Sequence, residues 1–191
     1  MMSCAVHLCL MIDSPKYVRF TEESNALDYL EKAVAFINTA RAKPVDWKWV
    51  ILAIHGALYG FMICALKGTD PDNVCTKNKA GKLKLIDFRE ALKRCQESAR
   101  NHISGFAKAL EVTEDQKRAL SYIHDEFRNQ FVHYRAACWS IGLDGMPEII
   151  THGLDVIRAV ALDMGNYYVH YDAQKVASLV TEGIGALLEA N

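Results

Sequence analysis

The segment Trp47–Lys67, WKWVILAIHGALYGFMICALK, decides the fold of this 191-residue chain. Asp46 is placed to cap a helix that ends at Gly68. Between Trp49 and Leu66 only His55 interrupts the apolar run, and we expect that histidine to be buried and hydrogen-bonded to backbone. A helix that is apolar on every face either spans a membrane or lies at the centre of a bundle. We expect the bundle, because the other helical patterns are amphipathic and need an apolar partner.

Amphipathic patterns lie on both sides of this segment. Residues 22–42 carry apolar side chains at steps of three and four, and Lys43-Pro44 ends that pattern. Gly56 and Gly60 stand one turn apart on the apolar helix, which allows a neighbouring helix to approach closely. Further helices are predicted at 85–95, 113–138, 148–168 and 172–189, with a loop at 69–84.

The predicted fold class is therefore all-α, because strand alternation is not sustained anywhere. We expect one domain over residues 1–191, a bundle of about five to six helices around one long apolar helix.

Composition predicts a cytoplasmic protein that does not coat DNA. The formal net charge is -1, whereas DNA-coating domains are strongly basic. The six cysteines form no C-x-x-C pair, which favours reduced structural thiols over a disulfide framework or a zinc site. The apolar stretch from Cys4 to Ile12 is neither preceded by Lys or Arg nor followed by a small-residue cleavage site, so we do not expect a signal peptide.

The helix predicted at 113–138 carries the candidate chemistry. Thr113 and Gln116 have the Thr-x-x-Gln form of a capping box at its start. On a wheel of about 100° per residue, one stripe is apolar and faces the core. That stripe contains Leu120, Ile123, Phe127, Phe131, Tyr134 and Cys138. The opposite side displays Asp125, Arg128, Asn129, His133 and Ala136, with Asn129 and His133 one above the other.

The segment Arg128-Asn129-Gln130-Phe131-Val132-His133 resembles the motif of the HEPN family, in which an Arg and a polar residue precede a His on a helix of a bundle. The continuation through Tyr134, Cys138-Trp139-Ser140-Ile141 and Gly145-Met146-Pro147 resembles a bacterial subset of such proteins. The matching region covers about a quarter of the chain, and the remainder agrees in helical architecture.

The resemblance implies metal-independent RNA cleavage by attack of the ribose 2′-hydroxyl on the adjacent phosphate, with no cofactor. His133 titrates near neutral pH and can accept or donate a proton. Arg128 offers a charged planar fork to phosphate oxygens. Asn129 is expected to orient the His or to hold a phosphate oxygen.

Family members typically bring two motifs into one cleft, so the resemblance implies a homodimer. Val132 and Ala136 are apolar groups on the motif face without a core role, which agrees with an interface beside His133. A small nucleotidyltransferase antitoxin is the partner that family toxins often have, and toxin, phage-defence and stress roles stay open. Lysines of the predicted loop are a candidate contact for the RNA backbone: Lys77, Lys79, Lys82 and Lys84.

Two alternatives remain open from the sequence. A non-catalytic module that binds nucleotide, RNA or protein would keep the fold without the activity. A metal-dependent HD-type phosphohydrolase is also all-α, and His124-Asp125 is the doublet it requires. That set would be completed by His55 or His102 together with Asp155 or Asp163.

Overall fold

The computed structural model describes residues 17–97, 108–133, 138–164 and 170–189. Its α-helices are α1 Glu22–Ala40, α2 Trp47–Lys67, α3 Phe88–Gln96, α4 Glu114–Ser121, α5 Asn129–Val132, α6 Met146–Arg158 and α7 Ala173–Leu188. Two π-helical segments, Tyr122–Arg128 and Ala159–Asp163, join α4 to α5 and extend α6. Short 3-10 helices cover Pro44–Asp46 and Pro71–Val74. The described chain is thus predominantly helical, which confirms the all-α class.

The segments α4, Tyr122–Arg128 and α5 form one continuous helix, which we call the motif helix. It begins at the predicted capping box. The backbone N–H of Thr113 donates to Gln116 Oε1 at 3.0 Å, and the N–H of Gln116 donates to Thr113 Oγ1 at 3.2 Å. The local sequence therefore sets where this helix starts.

Helix α2 lies at the centre of the bundle, as its apolar sequence predicts. It packs against α1, α3, α6 and the motif helix. Its side chains Ile51, Ile54, Leu58 and Phe61 are among the largest fully buried ones. Within the described ranges it is the one helix long and apolar enough to cross a membrane, and 56% of its most apolar window is buried inside the protein. A buried helix with this composition is what the core of a bundle requires.

The two glycines of α2 allow α1 to approach closely. A Cβ at Gly60 would lie 2.7 Å from the Cβ of Ala26, and one at Gly56 would lie 2.5 Å from the Tyr29 ring. Both distances are shorter than packed carbon atoms tolerate, so a side chain at either position would force its neighbour in α1 to shift. The predicted close approach of a neighbouring helix is confirmed.

Asp46 does not cap α2 with its side chain, contrary to our expectation. Residues Pro44–Asp46 form a 3-10 turn, so Asp46 has helical backbone angles, whereas a capping residue is extended. Its carboxylate instead accepts a hydrogen bond from Thr39 Oγ1 at 2.7 Å and forms an ion pair with Lys43 at 3.2 Å. Asp46 therefore ties the end of α1 to the start of α2.

The segment predicted as a loop at 69–84 contains a small β-hairpin. Strand β1 Cys75–Lys77 pairs antiparallel with β2 Leu83–Leu85, and Asn78 Oδ1 accepts hydrogen bonds within the turn. Because Leu85 belongs to β2, α3 begins at Phe88 rather than at Leu85, with Asp87 as its N-cap.

Among the described cysteines, Cys64 and Cys95 are buried. Burial raises the pKa of both thiols to about 12, so they stay protonated and act as small apolar groups. Cys138 is exposed, which corrects its predicted place on the core stripe, and Cys75 is half-buried. Cys4 and Cys9 lie outside the described residues.

Candidate functional site

The motif helix places Arg128 at the end of its π-helical segment. A π turn contains an extra residue, so the side chains after it point in directions that a regular α-helix would not give. Ile123 is fully buried, whereas Phe127 and Phe131 are only partly buried against the core. The predicted apolar stripe therefore contacts the core as far as Phe131, but its side chains are less buried after Ile123. Tyr134 and Ala136 lie outside the described residues.

Arg128 is oriented by the residue that follows it. Its Nη1 donates a hydrogen bond to Asn129 Oδ1 at 3.0 Å, and Asn129 Nδ2 donates to the backbone carbonyl of Asp125 at 3.2 Å. The Asn129 amide thus connects the guanidinium to the helix backbone. Both ends of this amide are occupied by protein groups, which makes Asn129 a positioning residue for Arg128.

Asp125 lies near Arg128 but is bound elsewhere. Its carboxylate accepts hydrogen bonds from Arg89 Nη2 at 2.6 Å and Ser121 Oγ at 2.9 Å. Burial alone would raise the pKa of Asp125, but the bonds from Arg89 and Ser121 outweigh burial and lower it. Among the described residues no carboxylate forms an ion pair with Arg128.

His133 ends the motif helix instead of lying within it. The helix stops at Val132, and His133 is its C-cap with an extended backbone (φ -101°, ψ 98°), whereas the sequence predicted helix to about Cys138. Its backbone N–H still donates to the Asn129 carbonyl at 2.9 Å. The side chain is exposed, and it forms no hydrogen bond or ion pair with another described residue. His133 thus lies one turn after Asn129, as expected, but at the end of the helix rather than inside it.

A histidine pair lies beside Arg128, and the sequence indicated it only through the HD-type alternative, as ligands of a metal. His55 Nε2 and His124 Nδ1 are 2.9 Å apart and share a hydrogen bond. The Phe88 ring stacks on both imidazoles, with centroid distances of 4.9 Å to His55 and 4.5 Å to His124. His55 therefore bonds to a side chain rather than to the backbone that we expected. A lone His in an apolar helix signals a buried polar partner, but the sequence does not say which one.

Both histidines of the pair are uncharged near pH 7. Burial, the neighbouring His124 ring and the Arg128 charge together lower the pKa of His55 to about 3. Burial also lowers the pKa of His124, and the Asp125 carboxylate only partly opposes it. That carboxylate lies 3.7 Å from His124 Nε2, which favours a proton on this nitrogen and leaves Nδ1 to accept from His55. The pair thus adds polar groups beside Arg128 without adding charge.

A groove opens where α1, α2 and the motif helix meet, and we call it the aromatic groove. Its volume is about 380 Å³. Its lining residues are Asp28, Tyr29, Lys32, Phe36, Trp49, Leu52, Ala53, His55, Gly56, Arg128 and Val132. Arg128 is thus held at the meeting point of three helices, and His133 follows the last residue of the motif helix that lines the groove.

The four lysines of the predicted RNA contact lie on the hairpin. Lys77 ends β1, Lys84 is in β2, and Lys79 and Lys82 belong to the turn between them. All four are exposed, and none of them forms a hydrogen bond or ion pair with the motif residues in the part of the chain that the structure describes. Their contact with RNA remains a prediction.

The structure brings together part of the ligand set that an HD-type phosphohydrolase would need. His55 and the doublet His124-Asp125 come together, but neither Asp155 nor Asp163 joins them. Across the described ranges, no group of three or more His, Cys, Asp or Glu side chains is arranged to hold a metal ion. His102 lies outside the described residues.

Comparisons with known proteins do not extend this account. The chain matches no protein-family model, no curated protein sequence and no solved structure. The candidate site therefore stands on the sequence motif and on the geometry around Arg128.

Proposed function

We propose that the protein is a metal-independent endoribonuclease whose catalytic cleft forms between two copies of the chain. The observation that supports this most directly is the state of Arg128. Its guanidinium is oriented by Asn129, it lines an open groove, and it lacks a carboxylate partner among the described residues. An oriented and uncompensated guanidinium is well suited to bind a phosphate.

In the proposed reaction, the His133 imidazole accepts the proton of the ribose 2′-hydroxyl. The 2′-oxygen forms a bond to phosphorus while the bond to the 5′-oxygen breaks, and the leaving oxygen takes a proton from the partner's His133. The products are a 2′,3′-cyclic phosphate and a 5′-hydroxyl. Arg128 balances the charge that develops on the phosphoryl oxygens. Asn129 keeps the guanidinium in place, and none of these steps requires a metal ion.

The test is incubation of RNA with the purified protein in excess EDTA. Wild type should release fragments that end in a 2′,3′-cyclic phosphate. Arg128→Ala and His133→Ala should each slow cleavage by about 100-fold or more, since each variant loses phosphoryl stabilisation or proton transfer.

Arg118→Ala is the matched control, because Arg118 is an exposed arginine on the same helix that pairs with Asp115. It should cleave like wild type. Loss of cleavage by wild type in EDTA, or equal cleavage by all variants, would contradict the proposal.

The alternatives predict other outcomes of the same assay. If wild type and His133→Ala bind RNA equally and neither cleaves it, the protein is a binding module. If cleavage requires a metal that co-purifies in stoichiometric amount, the contact between His55 and His124 favours the HD-type phosphohydrolase. A nucleotidyltransferase partner and a toxin or defence role remain proposals that follow from the resemblance.

A further inference from the structure

We propose that the aromatic groove binds one unstacked nucleotide of a single-stranded RNA. Its base would lie against Tyr29 and Trp49, and its phosphate would bind Arg128. This inference takes its substrate class from the proposed function and adds a site for the nucleotide beside the cleaved bond. Unstacked bases on aromatic side chains next to cations are the usual means of binding single strands without pairing.

Tyr29 provides an aromatic ring on the α1 side of the groove. The ring packs against Gly56 of α2, where a Cβ would approach within 2.5 Å. The contact covers one side of the ring, while 39% of the residue remains exposed, and Tyr29 lines the groove. A partly exposed ring that lines a groove offers a surface on which a base can stack.

Trp49 provides a second aromatic surface on the α2 side. It stacks with Phe36 at a centroid distance of 6.1 Å, and Lys48 Nζ lies 4.8 Å from its ring centroid. Trp49 is nevertheless 46% exposed, a large fraction for an indole that lines a groove. The exposed part of the ring is available to a ligand.

The charges of the groove favour an anionic occupant. Arg128 and Lys32 line it, and Lys48 lies at its edge over Trp49. Within the part of the chain that the structure describes, Asp28 is the only carboxylate that lines the groove, and it lies 3.9 Å from Lys32. The neutral His55 adds a polar group beside Arg128 without repelling or attracting a phosphate by charge. An apolar peptide would leave these cations without partners, whereas a nucleotide supplies both the ring and the phosphate.

The size and position of the groove fit a single nucleotide. Its volume of about 380 Å³ lies near the lower end for small-molecule sites, which span roughly 300–1,000 Å³. His133 follows Val132, the last groove residue on the motif helix. A phosphate on Arg128 would therefore join the bound nucleotide to the segment that carries the proposed proton acceptor.

The test uses a fluorescent single-stranded 2′-O-methyl oligonucleotide, because it lacks the attacking hydroxyl and cannot be cleaved by the proposed reaction. Fluorescence anisotropy should show that Trp49→Ala and Tyr29→Leu each weaken binding at least about fivefold, the smallest effect expected for one stacked base. Trp49→Phe keeps a ring and should bind more tightly than Trp49→Ala. The same oligonucleotide with abasic sugars should bind wild type and Trp49→Ala equally.

Matched controls are Trp139→Ala and Tyr122→Leu. These residues are 42% and 48% exposed and do not line the groove, so their variants should bind like wild type. Thermal unfolding checks that every variant folds. Binding that is equal in all variants, or that survives removal of the bases, overturns the proposal. A shift of Trp49→Ala from dimer to monomer in light scattering, without a specific effect on base binding, would identify the groove as an interface between copies and also overturn it.

The outcome of this binding test does not depend on whether the protein cleaves RNA. Base-dependent binding without EDTA-resistant cleavage would support the groove as a nucleotide site and contradict the proposed nuclease activity. Cleavage that is lost in His133→Ala but unaffected in the groove variants would keep the nuclease and remove the groove assignment.

Discussion

Arg128 owes its orientation to neutral groups. Asn129 binds its guanidinium, and the uncharged pair of His55 and His124 lies beside it, while Asp125 is bound to Arg89. A carboxylate in the place of either neutral group would form an ion pair with the arginine and compete with a phosphate. The local arrangement therefore preserves a positive charge in a half-buried position, where its attraction for an anion is stronger than in water.

The histidine pair makes stability depend on pH. The folded-state pKa of His55 is lowered to about 3, below the usual value of about 6.5 for an unfolded chain. The unfolded state therefore binds a proton as the pH falls through 6.5, while the folded state does not. Stability is fully present above pH 6.5 and decreases toward pH 3.

We expect the free energy of unfolding to fall by about 2 kcal/mol between pH 7 and pH 5 through His55 alone. Urea unfolding at several pH values measures this slope. His55→Gln should flatten it, and His170→Gln, which changes an exposed histidine, should leave it as in wild type. An unchanged slope in His55→Gln would show that His55 does not stay neutral in the folded protein.

At the scale of elements, the motif helix departs from the regular helix that its periodicity predicts. The capping box sets its start, but the seven residues of the π-helical segment change the direction in which the later side chains point. The helix then stops at Val132, one residue before the predicted proton acceptor. A π segment at a candidate site is a recurrent association in proteins, and here it ends at Arg128, which lines the groove.

Helix α2 depends on its glycines for contact with α1. Gly60→Ala should destabilise the protein by about 1–2 kcal/mol, because the new Cβ would lie 2.7 Å from Ala26 and overpacking outweighs the gain in helix propensity. Gly185→Ala in α7 is the control, since among the described residues no atom outside the local helix backbone lies within 4 Å of its Cβ position. It should be neutral or stabilise by up to about 1 kcal/mol. Chemical denaturation compares the two, and equal effects would contradict close packing of α1 on α2.

At the scale of the whole molecule, one chain supplies a single Arg128 and a single His133. The proposed reaction needs one group to accept a proton and another to donate one, so a second copy is part of the proposal. Among the described residues, Val132 is the exposed apolar residue that directly precedes His133 at the end of the motif helix.

We expect light scattering at micromolar concentration to give the mass of a homodimer. Val132→Asp should shift this mass toward the monomer, because a buried charge without a partner is costly at an interface. Leu188→Asp, at an exposed position at the end of α7, should remain dimeric. A monomeric wild type at this concentration would contradict the proposed cleft between two copies of the chain.

The sequence by itself determined the helical elements. The bounds of α2, Trp47–Lys67, follow from an apolar run between Pro44 and Gly68, and the start of the motif helix follows from Thr113 and Gln116. These signals act within a few residues, so they are visible without the fold. The hairpin at Cys75–Leu85 was missed because strands of three residues are too short to show alternation.

Only the tertiary structure decided what surrounds Arg128. The hydrogen-bonded histidines are 69 residues apart in sequence, and the aromatic groove draws its lining from three helices. No local pattern encodes such contacts, because they depend on how the helices cross and on the π segment that turns the motif helix. The sequence thus indicated the candidates for the proposed chemistry, Arg128, Asn129 and His133. The packing of the helices decided the rest. Asn129 orients Arg128, His133 lies at a helix end, and an uncharged histidine pair lies beside Arg128.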